Sequence, residues 1–131
     1  MLQLVQEKGT AAVVDDMIPK LLGETTKKSR PEIVERVRSI AMVNSPESVA
    51  GMVRALMTRQ DSTPLLTKIQ VPTLILVGAE DTLTPPAMSE QMRMAIAGSQ
   101  MVVLPNVGHL SSVEDSKAFN DTIAPFLEHR L

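Results

Sequence analysis

Val71-Pro72-Thr73-Leu74-Ile75-Leu76-Val77-Gly78-Ala79-Glu80-Asp81 passes from an unbroken aliphatic run straight into a carboxylate. Thr73 to Val77 lacks polar alternation, the pattern of a parallel strand covered on both faces. Gly78 lets the main chain turn tightly on leaving that strand, and Asp81 then stands just past its carboxyl end. The pattern recurs downstream, where Met101-Val102-Val103-Leu104 is a second aliphatic run and Asn106-Val107-Gly108-His109 carries it into an imidazole. Between the two, Pro85 and Pro86 open a helix that runs through Ala97 and ends at Gly98, so strand, crossover helix and strand make one βαβ unit. In open α/β sheets, reactive groups gather outside the carboxyl ends of parallel strands. Asp81 and His109, 28 residues apart, both occupy that position. A carboxylate that accepts a hydrogen bond from one imidazole nitrogen fixes the tautomer, leaving the other nitrogen free to take a proton from a nucleophile. No serine in the sequence sits in a Gly-x-Ser-x-Gly elbow.

Upstream of this unit the chain reads as helices. Leu2 to Gly9 and Thr10 to Leu22 carry helical apolar spacing, broken by Gly9, disturbed by Pro19 and stopped at Gly23. The polar run Glu24 to Arg30 is expected to be a loop. Pro31 opens the next helix, with Ile33, Val34, Val37, Ile40 and Ala41 on one stripe. Ser45 caps another, Pro46 takes its first position, Glu47 suits the positive end of its dipole, and Val49, Met52, Val53, Leu56 and Met57 continue its apolar face. The switch from helices to alternating strand and helix divides the chain into a helical region, residues 1–60, and an α/β portion, residues 61–131. At the far end Ser111 and Glu114 fit a capping box, and Ala118, Phe119, Thr122, Ile123, Phe126 and Leu127 line one face of a terminal helix that Pro125 should kink.

With 131 residues, 44% of them hydrophobic and 21% charged, the chain can bury one modest core. A net charge of −2 offers nothing for nucleic acid or an anionic membrane to bind. Cysteine is absent, so disulfides and thiolate chemistry are ruled out. No apolar run is long enough to span a bilayer and no secretory leader follows Met1, which makes a soluble, cytoplasmic protein the expectation. No cofactor or metal is expected, because the sequence has neither a phosphate-cradling glycine loop nor His, Asp and Glu at metal-ligand spacing. Met42, Met52 and Met57 are read as packing, Ser111 and Ser112 as capping residues, and Glu80 and the run Lys27 to Arg30 as solvated. His129 falls in the last turn, where a cation suits the dipole, and is assigned no chemistry.

The segment Val71 to Asp81 followed by Thr84-Pro85 resembles the acid-bearing strand and turn of the α/β-hydrolases. Asn106-Val107-Gly108-His109 with Glu114, Phe119 and Asn120 resembles their histidine loop and last helix, and Arg59, Asp61, Leu65, Leu66 and Ile69 resemble the return from cap to sheet. The resemblance implies a partial α/β fold, a helical cap followed by the last βαβα portion of the sheet. It implies Asp81 as triad acid and His109 as general base, acting on a carboxylic ester, lactone or similar acyl substrate. In that family the nucleophile and oxyanion loop precede the cap. They are therefore expected outside this sequence, on a complementing N-terminal half. Two strands alone would leave main-chain edges unpaired. That makes a homo-oligomer, or a non-catalytic self-assembling remnant of the fold, the alternative expectation.

Overall fold

The computed structural model describes residues 1–128; His129 lies outside them. Helix α1 (Leu2–Leu21) is interrupted at Gly9, whose φ of 74° and ψ of −174° suit glycine and no other residue. The interruption lets α1 bury two different faces. Val5 and Val13 pack with Ala50, whereas Val14, Ile18 and Leu22 pack with Val37. Ala50 belongs to α4 (Pro46–Met57) and Val37 to α3 (Pro31–Met42), so α1 runs between both. Ser45 caps α4 through its hydroxyl, which accepts from Ser48 N–H at 3.2 Å, as the sequence pattern requires.

Two sequence expectations fail in this region. Glu24–Ser29 is a short helix, α2, with no apolar periodicity; tertiary bonds hold it in place of a hydrophobic stripe. Its Thr26 is fully buried and accepts from Arg30 at 2.9 Å, and Lys27 donates to the carbonyl of Pro19 at 2.9 Å. Met42, Met52 and Met57 are exposed, as are Ile40 and Leu56, because the buried edges of α3 and α4 are narrower than their apolar stripes. The face of α4 that reaches the core is Val49, Ala50 and Val53.

After a 3₁₀ segment (Thr63–Lys68), β1 (Leu74–Gly78) pairs in parallel with β2 (Gln100–Leu104), Leu74 facing Gln100 and Gly78 facing Leu104. Helix α5 (Pro86–Ala95) makes the crossover and packs on both strands, ending before Gly98, which turns the chain at φ 74°. Ile75 and Val77 are buried as a covered strand demands, but Val103 on β2 is 45% exposed. The second strand is therefore incompletely covered at Val103 in this chain. Helix α6 (Ser111–Glu114) and helix α7 (Ser116–Glu128) complete the structure, α7 lying against β2. Ser111 does not cap: the side chain at the start of α7 is Asp115, which accepts from Ala118 N–H at 2.9 Å. Among the described residues no helix is long and apolar enough to cross a membrane.

Candidate active site

Both strands hand the chain to paired loops. Past the ladder, Ala79 N–H donates to the carbonyl of Leu104 at 2.8 Å and Glu80 N–H to that of Val107 at 2.9 Å. The two loops thus stay in register for several residues beyond the sheet, which carries Asp81 and His109 toward each other. Gly78 permits this approach, since a Cβ there would collide with the carbonyl oxygens of Val107 and Gly108. Asn106 takes a left-handed turn, φ 60°, that reverses the second loop; Asn tolerates it better than most residues.

The result is a hydrogen bond of 2.8 Å between His109 Nδ1 and Asp81 Oδ2. Asp81 is 6% exposed and fully engaged. Its Oδ1 accepts from Leu83 N–H and Thr84 N–H, each at 2.9 Å, and its Oδ2 accepts from the Thr84 hydroxyl at 2.8 Å. Burial pushes the Asp81 carboxyl up, yet it sits below the usual aspartate range. The Thr84 N–H, the His109 ring and the Thr84 hydroxyl together outweigh the desolvation. An ionised acceptor at Oδ2 assigns the proton to His109 Nδ1, leaving Nε2 as a free base. The imidazole is partly exposed, and among the described residues its ring partners are Asp81 and Thr84, with no serine. Asp81 closes an Asx turn and holds the histidine at once.

Three residues not singled out as site residues from the sequence shape the site: Thr84, Glu80, read as solvated, and Glu114, read as part of a capping box. Thr84 Oγ1 lies 3.1 Å from His109 Nδ1, in addition to its bond to Asp81, making it a third corner of the pair. Glu80 is half-buried and paired: its carboxylate accepts from the Thr25 hydroxyl at 2.5 Å and from Thr25 N–H at 2.8 Å, and both bonds hold its carboxyl below the usual range. Glu114 is 2% exposed and accepts main-chain N–H groups from both sides of the molecule. Adjacent Glu80 and Asp81 thereby fasten one loop to α2 and to the histidine respectively. Leu21 at the end of α1 completes the connection, its carbonyl accepting from His109 N–H at 3.0 Å and Leu110 N–H at 3.3 Å. Among the described residues no group of three or more His, Asp or Glu gathers as a metal site. A cleft of about 320 Å³ lies between α1 and α4, lined by Val5, Gln6, Pro46, Glu47, Ala50 and Arg54, which include neither Asp81 nor His109.

The family described as TAP-like protein, an α/β-hydrolase family, matches this chain over residues 46–130. The chain is similar to 3-oxoadipate enol-lactonase 2 of Acinetobacter baylyi, 31% identical over 121 residues, covering 92% of this chain and 45% of the relative. Among solved structures it resembles an esterase from Thermogutta terrifontis at a TM-score of 0.92 and 35% identity, covering 98% of this chain and 47% of that one. The enol-lactonase of Burkholderia xenovorans superposes with a TM-score of 0.88 and 26% identity, covering 97% and 48%. The chain thus spans less than half the length of the relatives it matches.

Proposed function

Since the chain belongs to the α/β-hydrolase family, we propose that Asp81 and His109 are the acid and general base of a hydrolase acting on a carboxylic ester, lactone or similar acyl substrate. The observation that carries this reading is the 2.8 Å bond from a buried, ionised Asp81 to His109 Nδ1, with Nε2 left unengaged. Nucleophile and oxyanion donors come from outside these 131 residues, and residues 1–60 act as a cap beside the pocket. His109 Nε2 takes the proton of the nucleophile's hydroxyl as its oxygen bonds to the acyl carbon. It returns that proton to the alkoxide leaving group as the ester C–O bond breaks. Water then bonds to the acyl carbon as Nε2 accepts its proton, and Nε2 passes that proton to the nucleophile's oxygen as the acyl–enzyme C–O bond breaks and the carboxylic acid product departs. Asp81 stays ionised throughout and stabilises the imidazolium; the histidine alone would contribute only about 10²- to 10⁴-fold as a general base.

Similarity to an esterase and to enol-lactonases supports the ester and lactone class. Co-expression with an upstream half carrying a Gly-x-Ser-x-Gly elbow should give hydrolysis of a short-chain p-nitrophenyl ester, and His109→Ala should remove it. Turnover indifferent to that substitution would refute the reading. A second reading draws on the sheet, which has two strands, and on Val103, exposed at 45% on β2. Copies of the chain pairing their strand edges across a two-fold axis would cover both, giving a self-assembled, non-catalytic homo-oligomer. Light scattering decides it: a clean monomer at micromolar concentration rejects this second reading.

A further inference from the structure

The largest of the fully buried side chains among the described residues belongs to an acid, Glu114, and its bonds converge on the histidine loop and the corner between α1 and α2. Oε1 accepts from Gly108 N–H at 2.9 Å and from Leu110 N–H at 3.2 Å, the residues on either side of His109. Oε2 accepts from Gly23 N–H at 2.8 Å, 91 residues away in sequence. Arg30, at the end of α2, donates to the main-chain carbonyl of Glu114 itself. Gly108 and Gly23 are in near contact, a Cβ on Gly108 falling 2.5 Å from Gly23 N, so the carboxylate closes a seam with no room for a side chain at either glycine.

We propose that Glu114 is a positioning residue for His109: one oxygen clamps the main chain before and after the histidine, and the other ties that clamp to the α1–α2 corner. The inference rests on reading His109 as the base. Capping is only part of what the side chain does: Oε1 accepts from the N–H of Leu110, the residue preceding α6, but the bonds to Gly108 and Gly23 reach outside that helix altogether. The clamp matters chemically because the Asp81 bond fixes only the far side of the ring. Where the ring stands also depends on its main chain, which Leu21 holds at His109 N–H and Glu114 holds at Gly108 and Leu110, and a displacement of about 1 Å in such a group can cost roughly 10²-fold in rate.

The test compares Glu114→Gln with Glu114→Ala in the 131-residue chain, using amide hydrogen exchange and two-bond ¹H–¹⁵N spectra of the imidazole, His109→Gln supplying the assignment against His129. Glutamine offers one oxygen. Turned toward the two donors Gly108 and Leu110, it should preserve their slow exchange and the single Nδ1–H tautomer of His109, and lose protection at Gly23 alone. Alanine should release the Gly108 and Gly23 amides, loosen that of Leu110, which the Leu21 carbonyl also holds, and move the ring toward a tautomer mixture. Combined with a catalytic upstream half, the alanine chain should lose about 10²-fold in kcat with KM little changed, and the glutamine chain should keep most of the rate. A folded alanine variant with the wild-type ring spectrum overturns the proposal. Should the alanine variant fail to fold, the wild-type chain decides: Gly108 and Leu110 amides that exchange freely overturn it, and amides that exchange slowly and together with Gly23 support it. Spectra that respond to Glu114 in a protein whose reconstituted turnover ignores His109 would defeat the hydrolase reading while leaving the clamp intact.

Discussion

Asp81→Asn is expected to cripple the histidine by reversing its tautomer, and the hydrogen-bond pattern fixes the direction. At the Oδ1 position two main-chain donors, Leu83 N–H and Thr84 N–H, converge at 2.9 Å each, so the new amide must place its oxygen there. Its NH₂ then takes the Oδ2 position, 2.8 Å from His109 Nδ1. A donor at that point requires Nδ1 to be an acceptor, which moves the ring proton to Nε2, the atom that should receive the nucleophile's proton. The scaffold is nearly unchanged, because the amide matches the carboxylate in shape and the Thr84 hydroxyl, 3.1 Å from Nδ1, can turn its proton from Oδ2 to the ring. A tautomer reversal of this kind costs about 10⁴-fold in kcat, equivalent to roughly 5.5 kcal/mol of barrier. The assay has two arms. Imidazole ¹⁵N spectra of the chain alone should show the proton on Nδ1 in the wild type and on Nε2 in Asp81→Asn. The p-nitrophenyl ester assay of the reconstituted enzyme should show the loss in kcat. A proton still on Nδ1 in the variant, or a rate within about tenfold of wild type, would refute the reasoning.

Acid sensitivity should follow from the same carboxylate. The folded Asp81 carboxyl lies below its unfolded value of about 3.9, so its contribution is complete above that pH and is lost as pH falls through the folded value. Urea midpoints by circular dichroism should therefore fall more steeply with acid in the wild type than in Asp81→Asn, and parallel acid limbs would contradict the assignment. Thr84→Val removes the hydroxyl bonded to Asp81 Oδ2 at 2.8 Å and should cost about 1 kcal/mol in urea unfolding; an unchanged midpoint would show that bond to be idle. Two glycines should respond in opposite directions. Gly51 lies in exposed α4 with open space around a Cβ, so Gly51→Ala should stabilise by about 0.5–1 kcal/mol. Gly78→Ala should destabilise by on the order of 3 kcal/mol through collision with the Val107 and Gly108 carbonyls, and equal melting temperatures for the two variants would reject the argument.

The βαβ unit was legible because its information is local: an aliphatic run, a glycine and a charged residue stand in sequence, and pairing two such strands brings their ends together. Leu74–Gly78 and Gln100–Leu104 fall within a residue of the expected strands for that reason. Helix α2 was not legible, because Glu24–Ser29 owes its place to Glu80, a partner 55 residues from Thr25. Glu114 shows the same limit more sharply. Its spacing from Ser111 fits a capping box, and only the fold reveals that Gly23 lies within its reach. Composition misled at Met52 and Met57, since apolar spacing tells which residues share a face and says nothing about whether a neighbour covers it.

The account stands on His109 acting as the base for a nucleophile that Asp81 never touches. The most direct measurement is the burst of p-nitrophenolate released when the chain, combined with an upstream half bearing the Gly-x-Ser-x-Gly elbow, meets a short-chain p-nitrophenyl ester. With wild-type His109 the burst should equal the concentration of assembled sites, and with His109→Ala it should vanish while assembly, followed by light scattering, is retained. A burst of equal size and rate in the alanine variant would contradict the assignment of the base.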